Sequence, residues 1–160
     1  MPGATLKRAT NKVVCGGTDP VLEEMNIETA TNMYGGRLIM KGTHVDDIVL
    51  NTGQTPLGWL GYEQCNMDDK PATKATIYAA DAQAPLLKGT GFIIDALAVD
   101  TSGNTIAKGD YVMPATTLGG VLKFADTDPS TNMNVRVGQA EESVTIPSGG
   151  SVAILIRSMI

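Results

Sequence analysis

Phe92-Ile-Ile-Asp-Ala-Leu-Ala-Val99, followed at once by Asp100-Thr-Ser-Gly103, sets the reading of the fold. It is a short apolar run ended by turn formers, and seven more runs are built the same way. They are Arg37-Leu-Ile-Met40, Asp47-Ile-Val-Leu50, Ala75-Thr-Ile-Tyr78, Tyr111-Val-Met113, Val121-Leu-Lys-Phe124, Val135-Arg-Val137 and Val152-Ala-Ile-Leu-Ile156. Eighteen threonines, 18 glycines and 8 prolines favour short strands and tight turns over helices. Asp100-Thr-Ser-Gly103 and Pro147-Ser-Gly-Gly150 each join two apolar runs, so both are expected to be hairpin turns. No helical pattern alternates with the runs, which argues against a parallel βαβ sheet. The expected fold is all-β, a compact small β-barrel or β-sandwich with at most one or two short helical turns.

Those turns are expected in residues 19–34. Asp19-Pro20 fits an N-cap followed by proline at the first helical position, Glu23 and Glu24 suit a helix start, and Gly35-Gly36 would stop it. The β-branched Ile27, Thr29 and Thr31 keep the expectation to a turn or two.

Residues 1–18 read differently. They carry Lys7, Arg8 and Lys12 and no acid, a side-chain charge of +3 that leaves −8 on the rest of a chain whose net charge is −5. With no sustained periodicity, they are expected to form an extended N-terminal arm, and residues 19–160 a single β domain. Leu6, Lys7, Arg8, Lys12, Val13 and Val14 are the candidate residues for contact with a partner surface or a neighbouring subunit. The acidic body argues against nucleic-acid binding, which needs clustered Lys and Arg. No apolar run reaches the roughly 20 residues of a membrane span, and the first residues lack a signal-peptide core.

A faint echo runs through the body. Gly36-Arg-Leu-Ile-Met40 resembles Gly109-Asp-Tyr-Val-Met113, and Leu57-Gly-Trp-Leu-Gly-Tyr-Glu63 resembles Val135-Arg-Val-Gly-Gln-Ala-Glu141. Thr76-Ile77 and Thr145-Ile146 follow, each before an apolar run. A β-motif duplicated over about 36–87 and 109–157 is one reading. The recurrence of turn, strand, Gly, strand in any small β protein is the other.

Groups with chemical potential are few. The single histidine, His44, stands beside Asp46 and Asp47, where alternation on a strand would place His44 and Asp46 on one face. A polar turn is the plainer reading. Asn66-Met-Asp68-Asp69-Lys70 is oxygen-rich but lacks the ligand spacing of an EF-hand loop; Asp126-Thr-Asp128-Pro-Ser-Thr-Asn132, with two carboxylates spaced by two, is a better oxygen cluster, and a polar loop is its plainer reading. Gly89-Thr-Gly91 is too short for a dinucleotide fingerprint, and Gly16-Gly17-Thr18 lacks the lysine of a P-loop. Cys15 and Cys65 are far apart in sequence and are expected to be free thiols. Trp59 and Tyr62, with Tyr78, would suit a sugar-stacking platform or core and subunit packing. No cofactor or metal is expected, and the residues favour a non-enzymatic protein. The apolar closing stretch, Ser151-Val-Ala-Ile-Leu-Ile-Arg-Ser-Met-Ile160, should be covered by its own core or by another subunit.

Gly36-Arg-Leu-Ile-Met-Lys-Gly42 through Val45-Asp-Asp-Ile-Val-Leu50, then Pro56-Leu-Gly-Trp-Leu-Gly-Tyr-Glu63, resembles the capsid decoration proteins of tailed bacterial and archaeal viruses. Lys108-Gly-Asp-Tyr-Val112, Gly119-Gly-Val-Leu-Lys123, Val137-Gly-Gln-Ala-Glu-Glu142 and Val152-Ala-Ile-Leu-Ile-Arg157 extend the likeness over roughly residues 30–160. The resemblance implies a non-catalytic protein of the virion, made in the host cytoplasm and seated on the outer surface of an icosahedral head. It further implies a homotrimer that binds where major capsid protein subunits meet and braces the shell. It carries over no active-site residues. A carbohydrate- or receptor-binding β module of a virion appendage is the alternative.

Overall fold

The computed structural model describes residues 8–63, 67–125 and 135–160. Among them there is no helix, and the fold is all-β. The strands are β1 (Val14–Gly16), β2 (Val21–Ile27), β3 (Leu38–Lys41), β4 (Asp47–Leu50), β5 (Gly58–Leu60), β6 (Gln83–Lys88), β7 (Thr90–Asp100), β8 (Thr105–Ile106), β9 (Tyr111–Pro114), β10 (Val121–Lys123), β11 (Gly138–Ala140), β12 (Val144–Thr145) and β13 (Gly150–Met159).

Residues 21–27 form a strand where the sequence suggested a helical turn. Met25 and Ile27 are buried while Glu24 is exposed and Asn26 half-exposed, a period of two. A ladder with β6 from Val21↔Lys88 to Asn26↔Gln83 takes up the backbone groups. Glu24 therefore points outward, while Glu23, on the face of Met25 and Ile27, is exposed near the start of the strand. Ala75–Tyr78 is not a strand; its apolar residues fill a loop that delivers Tyr78 to the core, with the strand following at β6.

Two closed five-stranded barrels result. β2, β4, β3, β5 and β6 close the first. In the second, β7, β10, β9, β11 and β13 run in order and β13 pairs back to β7. The barrels share one topology: first and third strands parallel, all other neighbours antiparallel. Only Gly89 separates β6 from β7.

The registers agree as well. Starting from the echoed positions Ile39 and Val112, the ladders pair Ile48 with Val121, Met25 with Ala96, Ala84 with Ile154, Leu86 with Ile156, Leu60 with Ala140 and Gly58 with Gly138. They then return to Ile39 and Val112 without a slip. Gly58 corresponds to Gly138, whereas the two echo segments laid residue against residue would set Leu60 there. All these side chains other than glycine are core residues of their own barrel. The correspondence begins at β2 and β7, upstream of the 36 and 109 at which the echo becomes visible.

Neither expected hairpin forms. The strands flanking Asp100–Gly103, β7 and β8, pair with β13 and β12 instead. In this topology the first strand lies beside the third and fifth, so its sequence neighbour is excluded from its edge. The two turns meet each other instead: Gly149 N donates to Thr101 O at 3.2 Å and Ile146 N to Asn104 O at 2.9 Å.

The barrels are joined through an apolar seam. Leu38, Trp59 and Leu87 are direct neighbours across β3, β5 and β6, alternate with the barrel-lining positions, and are nevertheless fully buried in one cluster with the second barrel's core. Gly36 permits the close approach: its φ is +85°, and a Cβ there would lie 2.1 Å from Asp95 O.

Candidate functional site

Both barrel interiors are filled by side chains, so surface chemistry is concentrated at the seam and on the outer walls. At the seam lies a cleft of about 320 Å³. The loops after β2 and β5 contribute Tyr34, Arg37 and Lys74, β7 contributes Asp95 and Leu97, and the N-terminal segment contributes Val13.

Asp95 organises the polar side of the cleft. Its carboxylate takes Arg8 Nε at 3.1 Å and Lys74 Nζ at 2.8 Å. Arg8 also pairs with Glu142 and donates to Ala153 O at 2.9 Å, while Lys74 donates to Ala9 O at 2.7 Å. Arg37 differs. Its Nη1 donates to Leu118 O at 3.3 Å, its guanidinium lies 5.5 Å from the centre of the Tyr34 ring, and it has no carboxylate partner among the described residues. Burial pulls it below its ordinary pKa, with Tyr34 partly opposing. The cleft thus presents a partly desolvated cation beside apolar walls.

The N-terminal segment is not a separate arm where it is described. Val13 is 1% exposed within the chain's own core. Val13 N and Val14 N donate to Glu63 Oε1 at 2.7 and 2.8 Å. β1 pairs with β7 at Val14↔Ile94 and extends the second barrel's wall alongside the short β10, which reaches β7 only at Ala98. Gly17, at φ +85°, lets the chain press against β7, where a Cβ would lie 2.1 Å from Gly91 O. Val13 therefore anchors the segment to this chain and is not available as a partner contact, whereas Lys12 is exposed. Leu6 and Lys7 lie outside the described residues. The periodicity was too short to show this docking, because three residues of strand carry little pattern.

Other candidates are rearranged. His44 and Asp46 lie in the turn before β4 and not on a strand, while the largely buried Asp47 accepts Asn26 Nδ2 at 3.0 Å and serves the fold. Among the described residues no group of three His, Cys, Asp or Glu side chains is placed to hold a metal. Asp126 and Asp128 lie outside the described residues. Trp59, Tyr62 and Tyr78 form no stacking platform: they are 0%, 3% and 0% exposed, because the barrels close over them. The Tyr78 hydroxyl donates to Gly61 O at 3.0 Å, and burial, then Glu63 and Tyr62, push its pKa up. Cys15 is free and half-buried; Cys65 lies outside the described residues.

Asp95, Lys74, Arg37 and Glu63 were not singled out from sequence: Asp95, Lys74 and Glu63 meet side chains or backbone distant in the chain, and Arg37 reaches Leu118 O only once the fold has formed. The chain matches no protein-family model and no curated protein.

Proposed function

We propose that this chain is a non-enzymatic structural protein that binds the outer surface of an icosahedral capsid and stabilises the shell. The observation that supports this most is the pair of register-matched closed barrels with side-chain-filled interiors. Closure removes most free sheet edges and makes a stiff body whose working surface is its exterior. The resemblance of roughly residues 30–160 to capsid decoration proteins supplies the setting: the virion exterior, a major capsid protein as partner, and a homotrimer as the binding unit.

The mechanism is mechanical. A body that binds only the expanded shell shifts the equilibrium toward that state. Repetition over a symmetric surface makes weak single contacts strong in aggregate. No helix among the described residues is long and apolar enough to cross a membrane.

The test is co-sedimentation of the full chain with empty expanded capsids and with precursor shells. Binding to the expanded form alone is expected. Equal binding to both, or to neither, overturns the reading. The sugar-binding alternative loses its platform with the burial of Trp59, Tyr62 and Tyr78.

A further inference from the structure

The two barrels differ at one edge. In the second barrel, Asp95 N donates to Val13 O at 2.8 Å, so β1 occupies the β7 edge upstream of its parallel neighbour β10. The ladders place Glu24 where the second barrel has Asp95, and Leu22 where it has Ile93. On β2, Asn26 N donates to Asp46 O at 2.8 Å and Glu28 N to Ile48 O at 3.1 Å, both toward β4. By the two-residue period of a strand, Leu22 N and Glu24 N point the same way. But β4 begins only at Asp47 and pairs with Asn26 and Ile27. No strand among the described residues pairs with the edge at Leu22–Glu24.

This edge lies in an accessible, chemically marked surface. Val21 is 65% exposed and Leu22 42% exposed, and Glu23 and Glu24 flank them. Where β4 turns away, Val45 is 79% exposed, and Asn26, Lys41, His44, Val45 and Asp46 line a groove of about 660 Å³.

We infer that the β2 edge at Leu22–Glu24 is a strand-addition site for a short extended segment, basic and β-branched, of the shell protein. The identity of that partner rests on the function proposed above; the strand addition does not. Main-chain hydrogen bonds would supply the attachment, and Val21 and Leu22 apolar contact. Glu24 and Asp46 disfavour acidic strands and favour a cationic one, while Glu23 is already paired with Lys88. This chain shows the matching chemistry in its own β1 region, where Lys12, Val13 and Val14 approach the corresponding edge of β7. A second copy would have to surrender its own Val13 from its core to supply that segment, which points to a separate protein.

The test uses the full chain and Leu22→Pro, which removes an edge N–H that the barrel does not use. A synthetic peptide with the sequence of residues 8–17, serine replacing its cysteine, serves as the surrogate strand at millimolar concentration. Amide NMR shifts and slowed exchange confined to Leu22–Glu24 are expected, and they should vanish in Leu22→Pro. With expanded shells, Leu22→Pro should bind at least tenfold more weakly while melting within a few degrees of the parent. Glu24→Lys, which leaves the backbone intact, should weaken both interactions and replaces Leu22→Pro if that variant misfolds. Undiminished shell binding by a folded edge variant, no peptide response at this edge, or self-association that Leu22→Pro abolishes each overturns the inference. Failure of the parent chain to bind any shell overturns the proposed function instead, and the peptide result still decides strand addition.

Discussion

Trp59 Nε1 donates to Ser158 Oγ at 3.1 Å, joining the middle of β5 in the first barrel to the end of β13 in the second. Ser158 is 1% exposed, and its hydroxyl in turn donates to Gly89 O at 2.8 Å, on the single residue between the barrels. The chain's one tryptophan is thus shared by both halves. Unfolding should therefore be one cooperative transition, with tryptophan fluorescence and far-UV circular dichroism giving the same urea midpoint. Trp59→Phe should cost roughly 1–3 kcal/mol through the lost hydrogen bond and the space left in the seam. Two separated transitions in the parent chain would show that the seam does not couple the barrels.

Removal of residues 2–14 should destabilise the isolated protein. The deletion takes Val13 from the core, strips Glu63 of two backbone donors and removes Arg8 from Asp95. Burying a valine contributes about 1.5–3 kcal/mol, and each kcal/mol moves the midpoint of a chain this size by roughly 2–4 °C. A fall of about 10 °C is expected by calorimetry. A shift of only a degree or two would restore the picture of a detachable arm. Val13→Ala alone should reproduce part of the loss, about 1–2 kcal/mol.

The β class was legible because turn formers bracket each apolar run, and a strand needs only a few residues to show itself. What was hidden has physical reasons. Glu23-Glu24 mimic a helix start, yet the register with β6 outweighs so weak a local preference. Closure depends on β13 meeting β7, a pairing between residues about 50 to 69 apart in the chain that local pattern does not encode. The echo exposed only strands keeping similar residues; β2 and β7 correspond through ladders while pairing Met25 with Ala96 and Ile27 with Ala98. The cleft was invisible because Arg8, Lys74 and Asp95 become neighbours only after both barrels close.

Acid should weaken one identifiable contact on the second barrel. Lys123 Nζ lies 2.8 Å from Asp110 Oδ2, and Ala107 N donates to the same oxygen at 2.9 Å. The Lys123 hydrogen bond, then that from Ala107, holds the Asp110 carboxyl below its ordinary pKa, outweighing slight desolvation. A carboxyl lowered by folding contributes stability above its unfolded value and loses it as pH falls through the folded one. The difference in melting temperature between the parent and Asp110→Asn should therefore shrink as the pH falls below about 5. The pair is partly exposed, so the difference should be small and smaller still in high salt. A difference that grows on acidification would contradict this assignment.

The matched registers lead to a sharper test of packing. Met25 faces Ala84 across β2 and β6, and at the corresponding place Ala96 faces Ile154 across β7 and β13. Each barrel thus puts one large and one small side chain at this point, with the sizes exchanged between strands. All four are buried, so the volume has to be shared between partners. Ala96→Met should overpack the second barrel and cost about 1–3 kcal/mol. Ile154→Ala should leave a cavity and cost about 2–5 kcal/mol. Combining them gives the second barrel the arrangement of the first, so the double variant should be more stable than the sum of the losses by roughly 1–3 kcal/mol. Urea unfolding of the four proteins measures that coupling directly. Strict additivity would mean that Ala96 and Ile154 do not share one space, and that the two interiors correspond in register without corresponding in packing.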